Sequence, residues 1–197
     1  CNMPYGAHET MEVHEILNKK MNLTNHFTFY AQQFQNAELR RMIENHLQTA
    51  IQSYDQLVAY THDYNAAANR QQPYGAPQVR PQQVQYGLHQ PMPQSPTQGQ
   101  FTDQEIAAAV LCWHKNSAKN HITGALECAD PNVRQMLING AVTCANQAYE
   151  VFLFMNRQGA YQVPTMQDHT AKTFLHSYQP SQQWQQTTQQ WQQTPQM

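Results

Sequence analysis

Two blocks of helical apolar periodicity, separated by a proline-rich segment, set the strongest limit on how this chain can fold. In residues 8–66 and 101–160 the apolar side chains recur at steps of three, four and seven, the spacing of one face of an α-helix. The intervening residues 67–100 carry six prolines among glutamine, tyrosine and glycine, and such a segment cannot hold a helix. We therefore predict two helical blocks joined by an extended linker.

Each block predicts a helical hairpin, because residues that begin a new helix interrupt its apolar stripe. Asn36 offers a cap inside the first block. The second block opens with Thr102 and Glu105, a capping box in which hydroxyl and carboxylate satisfy each other's backbone donors. Further along, Asp130 caps a helix and Pro131 starts it, since proline is tolerated at the first helical position. The chain is thus expected to contain four long helices.

The two hairpins look like copies of one unit. Asn25-His26 matches Asn120-His121, and Leu39-Arg40-Arg41-Met42 matches Val133-Arg134-Gln135-Met136, at an offset of 94 to 95 residues. Neither hairpin can bury its apolar face alone, so the duplication indicates an all-α four-helix bundle. The linker supplies the one long crossover that ferritin-like bundles use, and a ferritin-like bundle is the predicted fold.

Beyond the second hairpin the chain changes character. Residues 161–178 predict a short fifth helix anchored by Phe174 and Leu175, and residues 179–197 form a low-complexity tail that repeats QQWQQT. Amide-rich segments with spaced aromatic residues are disordered alone and pair with copies of themselves. We expect the tail to dock on its own bundle or on a neighbouring subunit, although a solvated tail without a role remains open. The candidate assembly residues in the tail are Gln183, Trp184, Gln190 and Trp191.

The four cysteines leave two interpretations open. No Cys-x-x-Cys motif or Cys/His cluster has the spacing of a zinc site. Free buried thiols are one interpretation, and intermolecular crosslinking is the other. The candidate crosslinking residues are Cys1, Cys112 and Cys144.

A four-helix bundle raises the question of a di-metal site, which needs two single glutamates and two Glu-x-x-His pairs. The sequence contains no Glu-x-x-His, the Glu44-Asn45-His46 spacing points its two groups to different helix faces, and Glu150 has no paired histidine nearby in the sequence. No Gly-x-Ser-x-Gly motif or phosphate-binding glycine loop occurs either. We therefore predict no catalytic residue, no metal and no cofactor. His26 and His121 match between the copies and are expected to be core imidazoles.

Charge and hydropathy exclude further classes of protein. Only 12% of the residues are charged and the net charge is −2, which disfavours a nucleic-acid binder that relies on a basic surface. No apolar run approaches the roughly 18 residues of a membrane span, and no signal peptide is visible. A net charge near zero favours association between copies, so we expect the chain to assemble with itself.

The second hairpin also carries a recognisable sequence, FTDQEIAAAVLCWHKNSAKNHITGALECADPNVRQMLINGA followed by QAYEVFLFMNRQGAYQV. Its opening Thr-Asp-x-Glu-Ile, its Asn-His, its Ala-Leu-Glu-Cys-Ala-x-Pro-x-Val-Arg turn and its closing Gly-x-Tyr resemble the repeated domain of the spore coat protein F family of Bacillus-type bacteria. The first hairpin, which begins MEVHEIL, resembles a more divergent copy. Together the two hairpins cover about 60% of the chain.

The resemblance implies a ferritin-like bundle that has lost its metal ligands and a structural role in the spore, with no catalytic residues to carry over. It implies as partners other copies of the chain and other spore coat proteins, and as location the spore coat after synthesis in the mother-cell cytoplasm. It also implies crosslinking of exposed tyrosines, or of glutamines to lysines. The leading hypothesis is a non-enzymatic coat protein that self-assembles or crosslinks into a protective layer. Two alternatives are an adaptor that docks other coat proteins through its Gln/Pro-rich segments and a degenerate ferritin-like metal protein.

Overall fold

Four long helices and one short one make up the part of the chain that the computed structural model describes, residues 6–63, 72–90 and 99–181. The predicted all-α class is confirmed, and each apolar block forms a helical hairpin. None of the helices in these ranges combines the length and the apolar character that crossing a bilayer requires. The helices are α1 (Ala7–Ala31), α2 (Ala37–His62), α3 (Asp103–Leu126), α4 (Pro131–Arg157) and α5 (Asp168–Leu175).

The four long helices pack as a bundle in which α1 contacts α2 and α3, and α4 contacts α2 and α3. Their inner faces carry the apolar stripes that the sequence predicted. The fully buried side chains include Phe27, Leu39, Ile43, Val110 and Val151, one or more from each helix. Burial of each such side chain contributes roughly 1.5–3 kcal/mol to folding, so the stripes hold the two hairpins together.

Two carboxylates in first helical turns tie the hairpins to each other. Glu9, at the start of α1, accepts hydrogen bonds through Oε2 from the backbone N–H groups of residues 129–130, at 3.0 and 2.8 Å. Asp103, at the start of α3, accepts from the backbone N–H groups of residues 35–36 through Oδ1 and Oδ2, at 3.0 and 2.8 Å. Each carboxylate and each target lies 94 positions from its counterpart. The sequence offset thus recurs as a pair of reciprocal contacts, which we call the carboxylate clasps.

The residues that the clasps hold are also the residues at which the second helix of each hairpin begins. The Asn36 side chain accepts a hydrogen bond from the N–H of Leu39 at 3.0 Å. Asp130 accepts from the N–H of Asn132 at 2.7 Å, and Pro131 follows it as the first residue of α4. At the start of α3, Thr102 and Glu105 form a capping box: the Thr102 N–H donates to Glu105 Oε2 at 2.8 Å, and the Glu105 N–H donates to Thr102 Oγ1 at 3.3 Å.

The crossover between the hairpins runs along α4 instead of standing away from the bundle. In residues 72–90 it forms one 3-10 turn at Pro81–Gln83 and isolated bridges from Tyr86 and Gly87 to Val163. The Asn156 side chain forms two hydrogen bonds with the crossover. It accepts from the N–H of Gln85 at 2.7 Å and donates to the Gln85 carbonyl at 3.0 Å. The composition of this segment predicted extended backbone, but it gave no sign of the contacts with α4.

Helix α5 forms, but it does not pack as the sequence suggested. Phe174 and Leu175 are 66% and 67% exposed, so the prediction that they anchor α5 on the bundle is wrong. The helix is held by local contacts such as the Lys172–Asp168 ion pair one turn apart. Five candidate residues lie outside the described residues, namely Cys1, Gln183, Trp184, Gln190 and Trp191.

A substitution at Gly140 tests how closely α3 packs against α4. A Cβ atom at this position would lie 2.4 Å from Cδ2 of His121, whose ring is fixed by a hydrogen bond to the Ser117 carbonyl. We expect Gly140→Ala to lower the free energy of unfolding by about 2 kcal/mol, because overpacking outweighs the gain in helix propensity. Gly124→Ala is the matched control. Its Cβ would lie 2.9 Å from the end of the flexible Ile16 side chain, which can move aside. Urea unfolding followed by circular dichroism measures the free energy of unfolding of both variants. Equal values for Gly140→Ala and Gly124→Ala would contradict close packing at Gly140.

Candidate functional site

Three polar side chains meet inside the bundle, one each from α2, α3 and α4. His46 is fully buried and His114 is 1% exposed. His114 Nε2 lies 3.0 Å from His46 Nδ1, and His46 Nε2 lies 2.7 Å from Oε2 of Glu150. The Glu150 side chain remains 29% exposed, so the row of polar groups leads from the core to the surface of α4. We call these three residues the histidine–glutamate row.

Tyr74, in the crossover, covers the outer end of this row. Its hydroxyl donates to Oε2 of Glu150 at 2.8 Å, and its ring stands edge-on to the His46 ring at a centroid distance of 5.4 Å. Its backbone is fixed on both sides, because its N–H donates to Thr143 Oγ1 at 3.1 Å and its carbonyl accepts from the Asn146 amide at 2.6 Å. The crossover therefore covers part of the outer end of the site, where Glu150 stays partly exposed.

The hydrogen bonds fix which atoms carry protons. Burial alone would raise the pKa of Glu150, but hydrogen bonds from His46 and Tyr74 and the charges of His46 and Arg41 lower it overall. An ionised carboxylate only accepts, so His46 Nε2 must carry the hydrogen. Burial, together with the neighbouring His46, lowers the pKa of His114 well below its ordinary value and keeps that ring neutral. One hydrogen joins His114 Nε2 and His46 Nδ1, and which nitrogen carries it follows from the tautomers of the two rings.

A second polar cluster lies between α1, α2 and α3. Lys20 is only 9% exposed and donates from Nζ to Ser53 Oγ at 2.9 Å. His121 is 4% exposed and donates from Nδ1 to the Ser117 carbonyl at 2.7 Å. Burial lowers the pKa of Lys20. Burial, and then the charge of Lys20, lowers the pKa of His121 to about 3, so this imidazole is neutral.

The hydrogen bonds of the histidine–glutamate row link α2, α3 and α4. Both ring nitrogens of His46 are occupied by protein partners. Within residues 6–63, 72–90 and 99–181, no three or more His, Cys, Asp or Glu side chains are grouped so as to hold a metal ion. Burial raises the pKa of the Cys144 thiol, and burial raises that of Cys128 to about 11, so both remain protonated and weakly nucleophilic at neutral pH.

The structure separates several residues that the sequence analysis grouped together. His121 lies in the core, but His26 is exposed and contacts the Trp113 ring at 5.1 Å, so the prediction of a core imidazole at His26 is wrong. The two described crosslinking candidates also differ. Cys112 is exposed, whereas Cys144 is buried and is not available to a neighbouring chain.

Comparison with known proteins agrees with the motifs of the second hairpin. Residues 102–164 match the family model of the Coat F domain. Over 179 residues the chain is 25% identical to "Spore coat protein F-like protein YhcQ" of Bacillus subtilis (strain 168), covering 90% of this chain and 82% of that protein. No solved structure matches.

Residues 102–164 of the chain thus carry a Coat F domain. The Coat F domain spans α3 and α4, so it supplies His114 and Glu150. His46 and Tyr74 lie outside the matched residues, in the first hairpin and the crossover. The histidine–glutamate row therefore joins the Coat F domain to the rest of the chain.

Sequence reasoning missed the row because its members are far apart in the chain. His46 and Glu150 are 104 positions apart, and a search for histidines near Glu150 on its own helix finds none. One signal was present: His46 continues the apolar stripe of α2 between Ile43 and Leu57, where a polar residue becomes buried and needs a partner. The identity of that partner depends on how the hairpins pack.

Removing the charge of Glu150 tests the histidine–glutamate row. We expect Glu150→Gln to lower the free energy of unfolding by about 1–3 kcal/mol, because a charge-assisted hydrogen bond to a buried histidine is lost. Tyr74→Phe removes only the outer hydrogen bond and should cost about 1 kcal/mol. Glu44→Gln, an exposed glutamate on α2, is the control and should change little. Chemical denaturation of the unmodified chain and the three variants measures these free energies of unfolding. Equal losses of stability in Glu150→Gln and Glu44→Gln would contradict a structural role for the row.

The buried neutral imidazoles predict a stability that falls with acidification. His121 has a folded-state pKa of about 3 and an ordinary value of 6.5, so between these values the unfolded chain binds more protons. Stability from this group is complete above pH 6.5 and declines by up to about 1.4 kcal/mol per pH unit toward pH 3. His114 acts in the same direction.

Two histidine variants check this slope. His121→Gln should flatten the decline of unfolding free energy with pH. His26→Gln, whose ring makes the same hydrogen bond to a backbone carbonyl one turn earlier but is exposed, should leave the decline in place. Denaturant titrations at several pH values measure both, and identical slopes in the two variants would refute the assignment to His121.

Proposed function

We propose that this protein is a non-enzymatic structural component of the bacterial spore coat that assembles with itself and with other coat proteins into a protective layer. The observation that carries the proposal is the Coat F domain in residues 102–164. The similarity to a spore coat protein F-like protein over 90% of the chain supports the same location for this one. The proposal extends these findings to a role as a rigid building block.

The interior of the bundle supports this role. Its ionisable groups are held by hydrogen bonds within the protein: Glu9 and Asp103 bind backbone amides, Glu150 binds His46, and Lys20 binds Ser53. Such contacts fix the relative position of the helices. We further propose a ferritin-like topology, which the antiparallel hairpins and the single long crossover along α4 support.

The surface supports assembly. Helix α5 and the residues after it present large apolar side chains to solvent, with Phe174 66%, Leu175 67% and Tyr178 83% exposed. Single exposed apolar residues are ordinary, but three on one short segment are typical of an interaction site. The tail that follows carries Trp184 and Trp191, which would add to the same surface.

Crosslinking would strengthen such an assembly. Cys112 is exposed and remains a candidate for a bond between copies. For glutamine-to-lysine bonds, the tail glutamines Gln183 and Gln190 would be donors, with the exposed Lys115 and Lys119 as partners.

The adaptor alternative has less support. In that alternative the Gln/Pro-rich crossover would be free to dock other coat proteins. The described part of the crossover instead uses its backbone groups on α4, through Thr143, Asn146 and Asn156. A partner would have to displace these hydrogen bonds.

Two modified chains test the assembly surface. We expect deletion of residues 179–197 to leave the helical circular dichroism intact while reducing the mass of the assembled species, and Phe174→Gln combined with Leu175→Gln to do the same in the full chain. The control pair is Met11→Gln and Met21→Gln, which are exposed on α1 and remote from α5 in sequence. Light scattering coupled to size-exclusion chromatography measures the mass. A full-length chain that remains a monomer at all concentrations would contradict self-assembly.

A further inference from the structure

A small cavity lies between the four long helices, beside the histidine–glutamate row. Its volume is about 30 Å³. The first hairpin lines it with residues of α1 and α2, among them Lys20 and Ser53, and the second with residues of α3 and α4, among them His114 and Gln147. We call it the central chamber.

The chamber lies where the two copies of the hairpin face each other. Each of the five lining residues from the first hairpin has a counterpart 94 positions later that also lines the chamber. Lys20 corresponds in this way to His114, and Ser53 corresponds to Gln147. The offset is that of the carboxylate clasps, so the chamber follows from the same duplicated packing and is not a local packing fault.

Three buried polar atoms of the described residues have no protein partner, and all three belong to residues that line this chamber. They are Nδ1 of His114, Nε2 of His121 and Nε2 of Gln147. Their residues are 1%, 4% and 3% exposed. A buried polar atom without a partner costs about 1–3 kcal/mol, so three together in one chamber require an occupant.

The hydrogen-bond chemistry of the three atoms limits what that occupant can be. His121 Nδ1 donates to a carbonyl oxygen, so Nε2 of this neutral ring is an acceptor. The Gln147 amide nitrogen is a donor. The neutral His114 ring shares one hydrogen with His46 through Nε2, so its Nδ1 accepts when Nε2 carries that hydrogen and donates when it does not. The occupant must therefore both donate and accept.

The size of the chamber limits the occupant further. A water molecule needs about 10–15 Å³ on this scale, and an engineered cavity that holds benzene measures about 150 Å³. The chamber volume of about 30 Å³ therefore accommodates two water molecules and excludes ring-sized organic ligands.

We propose that the central chamber is a binding site for two ordered water molecules, which bridge His114 Nδ1, His121 Nε2 and the Gln147 amide. The waters also lie within reach of the Lys20 ammonium group, whose Ser53 bond leaves hydrogens to donate. They connect the histidine–glutamate row with the Lys20 cluster. A single hydrogen-bonded network then extends from Tyr74 at the surface of α4 to α1.

A crystal structure of the full chain at a resolution that shows water tests the site directly. We expect two density peaks in the chamber, at hydrogen-bonding distance from the two imidazole nitrogens and the Gln147 amide. An empty chamber, a bound buffer ion, or a direct bond between the Gln147 amide and an imidazole would each overturn the proposal.

Nuclear magnetic resonance in solution provides the second measurement and a matched variant. In the unmodified chain, the side-chain amide hydrogens of Gln147 should show magnetisation transfer to long-lived water. Gln147→Leu should remove a donor and lose at least one of the two waters, whereas Gln135→Leu, an exposed glutamine on the same helix, should retain both. Absence of the water signal in the unmodified protein refutes the site, even if Gln147→Leu does not fold.

Discussion

The carboxylate clasps are the contacts on which the geometry of the bundle depends. The residues before α2 and α4 present backbone N–H groups that no helix can satisfy, and each pair is bound by a carboxylate of the other hairpin. Apolar burial holds the hairpins together but does not specify their register, because apolar contacts are not directional. Glu9 and Asp103 add directional hydrogen bonds, and in the register in which these form, His46, His114 and Glu150 lie within hydrogen-bonding distance of one another.

The two copies share a backbone arrangement but have diverged at its centre. At one pair of matching positions, α2 carries His46 and α4 carries Gly140; at another, α1 carries Lys20 and α3 carries His114. The glycine on α4 leaves room for the His121 ring, because a side chain at Gly140 would collide with that ring. Each polar residue gained in the core thus requires a partner or space elsewhere, which explains why the polar groups of the bundle form a connected layer.

The sequence predicts what is local and misses what depends on packing. The four long helices follow from periodicity and caps, which act within one or two turns. His26 was placed in the core by pairing it with His121 at an offset of 95, but the hairpins pack at an offset of 94. At that offset His121 corresponds to the buried Phe27, and His26 faces solvent beside Trp113. The docking of the crossover depends on Asn156, a polar residue buried near the end of α4. Nothing in the proline-rich composition of the crossover reveals that contact.

The distribution of charge connects this interior to the proposed role in assembly. With 12% of its residues charged, the chain uses several of its few carboxylates inside, as clasps and as the partner of His46. Fewer charges are then left on the surface to keep neighbouring copies apart. Apolar side chains on α5, such as Phe174, face solvent without a partner in the described part of the chain. An interior fixed by polar contacts and a surface with little charge are the properties that a repeating unit of a dense protein layer requires.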